Sequence, residues 1–234
     1  DGTHYTSIQS KTLTDVADSL IDGDEAPAEE KAILESMKDL NEAVIALRGE
    51  NADLGYTYAA GVANPGTLGD RNTGYKYGIA HKIRLIEPWG IRVRVLVRDK
   101  ATNLSADYAN ADDYGLIFFH DKTGKYGGTM TPAQMKAETG ALVYSKLNGN
   151  AVINAGGITA IYDHEIYTTD LDTELYCLPY IVVDGEYHYP STVTCWNLLA
   201  EMHEFSDDTS LTAEERAVFD AMIAMYESVQ AKNG

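Results

Sequence analysis

The feature that most constrains the fold is a pair of alternating runs between Tyr75 and Arg98, on either side of Glu87-Pro88-Trp89-Gly90. One set of alternate positions is aliphatic: Ile83, Leu85, Ile91, Val93, Val95 and Val97. The positions between them carry arginine: Arg84, Arg92, Arg94 and Arg98. A period of two is typical of β-strands with one buried and one solvated face. Because proline at the second and glycine at the fourth turn position favour a type I turn, the stretch predicts an antiparallel hairpin.

Similar apolar runs, separated by turn residues, predict a β-rich body around this hairpin. The predicted strands are Tyr56–Val62, Tyr75–Ile86, Ile91–Arg98, Tyr114–Phe119, Ala141–Tyr144, Gly157–Tyr162, Leu175–Val183 and Tyr187–Tyr189. Asp184-Gly185 is typical of a two-residue hairpin turn. Thr131 followed by Gln134 is a capping-box pattern, which predicts one short helix ending near Glu138.

Both ends of the chain predict helical hairpins, and the two hairpins resemble each other. Residues 10–46 carry two apolar stripes of helical period, joined at Asp22-Gly23-Asp24. The stretch from Ala26 aligns without gaps on the stretch from Leu211, at a constant offset of 185 positions that keeps the apolar stripe in register. We interpret the match as an internal duplication, which suggests one unit of a tandem array.

These elements predict an α+β fold: an antiparallel β-sandwich-like body flanked by two related helical hairpins. We expect an N-terminal helical hairpin over residues 1–50, a β-rich body over 51–191, and a C-terminal helical hairpin packed on the body over 192–234. The N-terminal hairpin would be the end of a preceding repeat.

The negative charge of the chain lies mostly at its two ends. Of a net charge of -18, residues 1–50 carry -8 and residues 192–234 carry -6. Such a surface repels phosphate groups, so nucleic acids and anionic membranes are poor partners. The apolar runs are also far shorter than the ~20 residues that a membrane span needs, so we expect no membrane insertion.

Cysteine content leaves two alternatives open. Cys177 and Cys195 are the only cysteines, separated by a predicted hairpin. They could form a disulfide, or both could be buried free thiols. Sparse cysteine suits the cytoplasm and equally a surface protein of a Gram-positive bacterium built without disulfides.

Several short stretches resemble the β-rich repeat domain of large secreted and cell-wall proteins of Gram-positive gut anaerobes, in which GAxIR, GLRF, YG and ARxYI follow one another. The matching stretches are Gly78–Arg84, Gly90–Val93, Tyr114–Ile117, Cys177–Ile181, Asp184–Tyr187 and Thr212–Phe219. The chain departs from that pattern at Val93, where phenylalanine is usual, and at Cys177-Leu178, where Ala-Arg is usual. The resemblance implies a secreted or cell-surface module, monomeric within a longer chain. It carries over no catalytic residue.

Motifs of catalysis and metal binding are weak in this sequence. The six histidines form no HExxH or Cys/His zinc pattern, and Asp163-His164-Glu165, the densest cluster, is interpreted as a solvated loop. A G-x-S-x-G elbow and a GKS/T phosphate loop are both missing, so we expect no cofactor and no metal. A glycosidase would need paired carboxylates in a cleft. The candidate carboxylates are Asp112, Asp113, Glu165, Asp170 and Asp172.

Tyrosine is unusually frequent, with 16 residues against 4 phenylalanines and 2 tryptophans. Exposed tyrosine offers a rigid amphipathic contact of the kind that protein interfaces favour. The binding residues predicted on this ground are Tyr56, Tyr58, Tyr75, Tyr77, Tyr126, Tyr187 and Tyr189.

These observations favour a non-catalytic extracellular module that binds a partner or acts as a spacer. The partner expected first is a host protein, with immunoglobulin as one candidate by analogy with superantigen-like surface proteins of gut anaerobes. A carbohydrate-binding module attached to a glycan-degrading enzyme is the alternative, and a glycoside hydrolase is a third. A protein binder should present a flat apolar patch, a sugar binder a row of coplanar exposed aromatic rings, and a hydrolase a cleft with convergent carboxylates.

Overall fold

A computed structural model describes residues 13–23, 26–48, 53–63, 75–85, 89–98, 111–154 and 157–233. Within these ranges the helices are α1 (Leu13–Ile21), α2 (Ala28–Arg48), α3 (Pro132–Ala137), α4 (Leu198–Asp207) and α5 (Ala213–Asn233), with a 3-10 turn at Thr168–Asp170. The strands are β1 (Asp53–Ala63), β2 (Lys76–Arg84), β3 (Gly90–Arg98), β4 (Asp113–Asp121), β5 (Leu142–Tyr144), β6 (Asn150–Asn154), β7 (Gly157–Glu165), β8 (Glu174–Val183), β9 (Glu186–His188) and β10 (Thr194–Asn197).

The strands form two antiparallel five-stranded sheets. The first has the order β1-β2-β3-β7-β6, and the second has the order β10-β8-β4-β5, with β9 also paired to β8. Aliphatic side chains from the facing sides of the sheets make one core. The α+β prediction with a sandwich-like body is therefore confirmed.

The hairpin predicted from alternation is present, but its arginine face is not simply solvated. β2 pairs with β3 in the register that sets Ile83 opposite Ile91. Arg84 is only 6% exposed, and its Nη1 lies 3.1 Å from Asp163 Oδ2. Asp53 also accepts a hydrogen bond from an arginine of this face, Arg92. A guanidinium group that is removed from solvent needs a carboxylate to compensate its charge. Residues 86–88, which include Glu87 and Pro88 of the predicted turn, lie outside the described residues.

The outer side of the second sheet has its own apolar cover. Ile117 and Leu178 on this side pack with Met135 of α3, which is fully buried. The predicted capping box starts α3, with Thr131 and Gln134 each accepting from the other's backbone N–H. α3 thus covers the apolar side chains of the second sheet that point away from the sandwich core.

The C-terminal hairpin closes one end of the sandwich. Leu198, Met202 and Phe219 are buried in the same core as the inner sheet residues. At this end, His81 Nε2 lies 2.6 Å from Glu201 Oε2, and the imidazole packs on the Trp196 ring at a centroid distance of 4.3 Å. α4 and α5 therefore cover this end of the sandwich and complete its core.

The two hairpins share their element bounds but not their place on the body. Shifted by 185 positions, α2 coincides with α5 at both ends, and α1 begins where α4 begins. α2 nevertheless packs antiparallel on α5, with Ser36 Oγ 2.8 Å from Ser228 Oγ and Lys232 Nζ 2.9 Å from Glu30 Oε1. Within the described residues α2 therefore packs against α5, and the tandem array stays a prediction.

Several local features differ from the sequence prediction or refine it. β6 and β10 were not predicted, and β10 belongs to the second sheet, so the β-body extends to Asn197 rather than ending at residue 191. Asp184 and Gly185 both have positive φ, of 51° and 73°, as a two-residue turn of the predicted kind requires.

Cys177 and Cys195 are free thiols. In the pairing of β8 with β10, Cys177 stands opposite Thr194 and Cys195 stands opposite Tyr176. Because neighbouring strand positions point to opposite faces, the two thiols lie on different sides of the sheet, Cys177 in the sandwich core and Cys195 beneath α3. A disulfide would require the backbone to move.

Candidate functional site

The predicted tyrosines do not form one surface. Tyr75, Tyr77 and Tyr189 are only 1–2% exposed, so their rings belong to the core and offer no contact area. This burial corrects the prediction for these three residues. Tyr56 and Tyr58 lie in β1, and their side chains fall outside the described part of the chain.

The other two predicted tyrosines are far less buried, and they lie in different environments. Tyr126 is half-buried, and its hydroxyl donates to Glu138 Oε2 at 2.6 Å. Tyr187 is 43% exposed and lies almost parallel to the buried Tyr189 ring, at 8°. A single exposed ring does not make the coplanar row that a sugar platform needs.

A polar cavity of about 380 Å³ opens between the two sheets. Phe118 and Leu142 supply its apolar wall. Its polar lining residues come from the ends of β4 and β7 and from the turn after β7: His120, Lys122, His164, Glu165, Tyr167 and Asp170. The cavity is therefore a place where histidine, lysine and carboxylate side chains converge, which sequence spacing did not reveal.

Both histidines of this cavity are hydrogen-bonded, and burial favours the neutral form of each ring. His164 Nδ1 lies 2.6 Å from the Tyr144 hydroxyl, and His120 Nε2 contacts Thr173 Oγ1. Burial, reinforced by His120 and Lys122, lowers the pKa of His164 to about 4. Burial likewise lowers the pKa of His120. Neutral rings at physiological pH can accept or donate a proton in a hydrogen bond, but they contribute no positive charge.

The candidate carboxylates are mostly occupied by structural contacts. Asp113 accepts from the Tyr180 hydroxyl at 2.9 Å and from the Lys146 backbone N–H at 3.0 Å. Asp112 accepts from the backbone N–H of Gly185 at 2.7 Å, and Asp170 pairs with Lys122. These side chains fix loops and strand ends, which leaves little of the carboxylate pair that glycoside hydrolysis requires.

Asp163-His164-Glu165 is the end of strand β7, not the solvated loop expected from the sequence. Neighbouring strand positions face opposite ways, so the side chains of Asp163 and His164 lie on different sides of the sheet. Asp163 pairs with Arg92, whereas His164 lines the cavity. Among the described residues, no three histidine, cysteine or carboxylate side chains come together in a way that could hold a metal ion.

The most exposed apolar surface lies on the two edge strands β5 and β6. Each closes its sheet on the same side of the sandwich, and residues 145–149 join them directly. The large apolar side chains left in solvent are Leu142 at 48%, Val143 at 61%, Leu147 at 89%, Val152 at 63% and Ile153 at 42%. In the described part of the chain, β5 pairs with β4 alone and β6 with β7 alone. We call this surface the apolar edge.

A groove of about 770 Å³ runs between α2 and α5 at the closed end of the sandwich. Its walls are apolar: Ile33, Met37, Trp89, Ile166, Met225 and Val229. Glu165, Tyr167 and Thr168 line one side. Neither this groove nor the apolar edge was predicted, although the run of leucine, valine and isoleucine from Leu142 to Ile153 was a usable signal.

No protein-family model matches the chain, and no curated protein or solved structure is significantly similar to it. None of the described helices is both long enough and apolar enough to cross a membrane.

Proposed function

We propose that the chain is a non-catalytic binding and spacing module of a secreted or cell-wall-attached bacterial surface protein. Its partner is a host protein, and immunoglobulin is the partner we propose first. The observation that carries the proposal is the apolar edge, where four large apolar side chains on two adjoining edge strands, and Leu147 in the turn between them, are exposed.

An open strand edge carries unpaired backbone N–H and C=O groups, and proteins normally blunt such edges with charge or proline. β5 and β6 contain no charged residue and no proline. A partner that adds a strand here would satisfy the backbone groups and cover the exposed valines. Immunoglobulin domains are β-sandwiches with strand edges of their own, so they match this mode of binding.

The carbohydrate and hydrolase alternatives have less support. Tyr167 and Tyr187 are exposed rings but do not contact each other, so they form no row, and the carboxylates Asp112, Asp113 and Asp170 make structural contacts. A binding surface on a rigid sandwich needs none of these groups. The protein-binding function is therefore the one that the geometry favours.

The test is biosensor binding of purified polyclonal immunoglobulin to the immobilised chain, with a glycan array in parallel. The double variant Val143→Lys/Val152→Lys places two charges on the apolar edge and should weaken binding about tenfold or more. The matched control Val16→Lys/Ile45→Lys adds the same charges at exposed apolar positions of the N-terminal hairpin, 41% and 57% exposed, and should bind as the native chain does.

Loss of binding in the helical control alone would assign the partner to the hairpin and overturn the edge as the binding surface. The carbohydrate-binding alternative would replace the proposal if the chain does not bind immunoglobulin but binds a glycan, and if Tyr187→Ser abolishes that glycan binding.

A further inference from the structure

The groove between α2 and α5, called here the helical groove, has the form of a small-molecule site. Its volume of about 770 Å³ falls in the range of ligand pockets, and its walls are aliphatic and aromatic. Met37 and Met225 stand on opposite helices. Because methionine is unbranched and polarisable, these walls can adapt to a flexible apolar chain.

One side of the helical groove is polar and rigidly held. Gly90 pairs with Glu165 across β3 and β7, and the Ile166 backbone N–H donates to the Trp89 carbonyl at 3.1 Å. These backbone contacts hold the segment that contains Glu165 and Tyr167 against the one that contains Trp89, and all three residues line the groove. Tyr167 is 62% exposed and Glu165 is also exposed.

Glu165 is the unneutralised charge of this groove. Its carboxylate makes no hydrogen bond and no ion pair with any residue that the structure describes. The cations nearby are already compensated, since Lys122 pairs with Asp170 and Lys232 pairs with Glu30. Lys122 Nζ also stands 6.0 Å from the Tyr167 ring centroid, so this ring already meets one ammonium group.

A carboxylate beside two electron-rich aromatic rings is the combination that recognises an ammonium group. An anionic ligand would meet Glu165 and the net charge of -18. A neutral apolar ligand would leave the polar side unused.

We propose that the helical groove binds an amphiphilic organic cation. Its apolar chain lies between α2 and α5, and its ammonium group lies against Glu165 and the rings of Trp89 and Tyr167. This site is separate from the apolar edge, so the proposal does not depend on the partner of the module.

Isothermal titration calorimetry of the full chain with three matched ligands tests the proposal: octyltrimethylammonium, octanoate and octanol, all below micelle-forming concentrations. The cation should bind at least about tenfold more tightly than octanoate, the sum of a carboxylate contact and a cation–π contact. Glu165→Gln removes the carboxylate contact and leaves the two rings, so it should weaken cation binding severalfold while leaving octanol binding unchanged. Glu214→Gln removes an equal charge from the exposed first turn of α5 and should preserve the preference.

Equal binding of all three ligands would mean nonspecific adsorption and overturn the proposal, as would no binding at all. A preference for the cation that survives in Glu165→Gln but falls with Glu214→Gln would reflect the overall charge of the chain and would also overturn it.

Discussion

Asp121 shows how a single buried carboxylate organises a loop on the outer side of the second sheet. It is 1% exposed, and its oxygens accept hydrogen bonds from the backbone N–H groups of Thr123, Lys125 and Tyr126 and from the Thr123 hydroxyl. Burial disfavours the charged form, but these bonds outweigh it and lower the pKa of Asp121 below its ordinary value. The charge is therefore part of the folded loop.

We expect Asp121→Asn to lower the free energy of unfolding by about 1–3 kcal/mol at neutral pH, because an amide nitrogen replaces one acceptor among buried N–H donors. Since the folded-state pKa is depressed, the carboxylate stabilises the fold above its unfolded-state pKa of about 4, and this contribution is lost as pH falls through the folded-state pKa. Urea denaturation at a series of pH values measures the difference between variant and native chain.

The difference in unfolding free energy between Asp121→Asn and the native chain should become smaller as the pH falls. Asp207→Asn, at an exposed position near the end of α4, is the matched control and should change stability little at any pH. A difference for Asp121→Asn that widens as pH falls would contradict the assigned role.

The tyrosines show why residue abundance alone did not locate a binding surface. Tyr75 and Tyr77 continue the alternation that places Ile79 and Ile83 in the core, so the period of two already predicted their burial. Exposure of Tyr187 depends instead on where β9 ends and what lies over it. That information is tertiary, and no local pattern contains it.

At the scale of elements, sequence similarity predicted the bounds of the helices and failed to predict their packing. The 185-residue offset matches α2 to α5 because an amphipathic stripe and its capping residues determine where a helix begins and ends. Docking depends on which apolar surface is available. α4 and α5 pack on one end of the sandwich, and α2 packs on the face of α5 that remains.

Two strands were not predicted because their apolar residues do not alternate with polar ones. β6 has three consecutive apolar residues, Ala151–Ile153, and β10 has two, Cys195 and Trp196, so neither shows the period of two that indicates a strand. The apolar edge was missed for this reason, since β6 supplies two of its exposed side chains.

Packing of α2 on α5 predicts a large effect of Leu40→Ala. Leu40 is 1% exposed in the shared core, so we expect a loss of about 2–5 kcal/mol in the stability of this helix pair. Ile45→Ala, on the same helix and 57% exposed, should change stability by less than about 0.5 kcal/mol. Chemical denaturation followed by circular dichroism measures both. Equal effects of the two substitutions would mean that α2 does not pack as described.

For the whole molecule, the antiparallel contact of α2 with α5 brings the described parts of the two acidic ends together. Residues 13–23 and 26–48 carry -5 and residues 192–233 carry -6, which together make -11 of the net -18. Ion pairs such as Lys38 with Asp18 and Lys232 with Glu30 offset a small part of this charge. One pole of the molecule is therefore strongly negative, and self-repulsion there opposes folding.

We expect the melting temperature to rise by a few degrees as sodium chloride increases from about 0.01 M to about 0.5 M, because screening shortens the range of this repulsion from ~30 Å to a few ångströms. Differential scanning calorimetry measures the shift. The variant Val16→Lys/Ile45→Lys adds two positive charges to the N-terminal hairpin, which changes the net charge from -18 to -16 (-18 + 2), so its melting temperature should rise less with salt than that of the native chain. A melting temperature that falls with salt would show that the ion pairs outweigh the repulsion.

The placement of Cys177 and Cys195 on opposite sides of one sheet makes the molecule indifferent to its redox surroundings. Maturation calls for no oxidase and no isomerase, and the chain that refolds from denaturant in the presence of reductant is covalently the same as the chain that refolds in air. A module of this kind keeps its shape whether it is synthesised inside a reducing cell or displayed outside it.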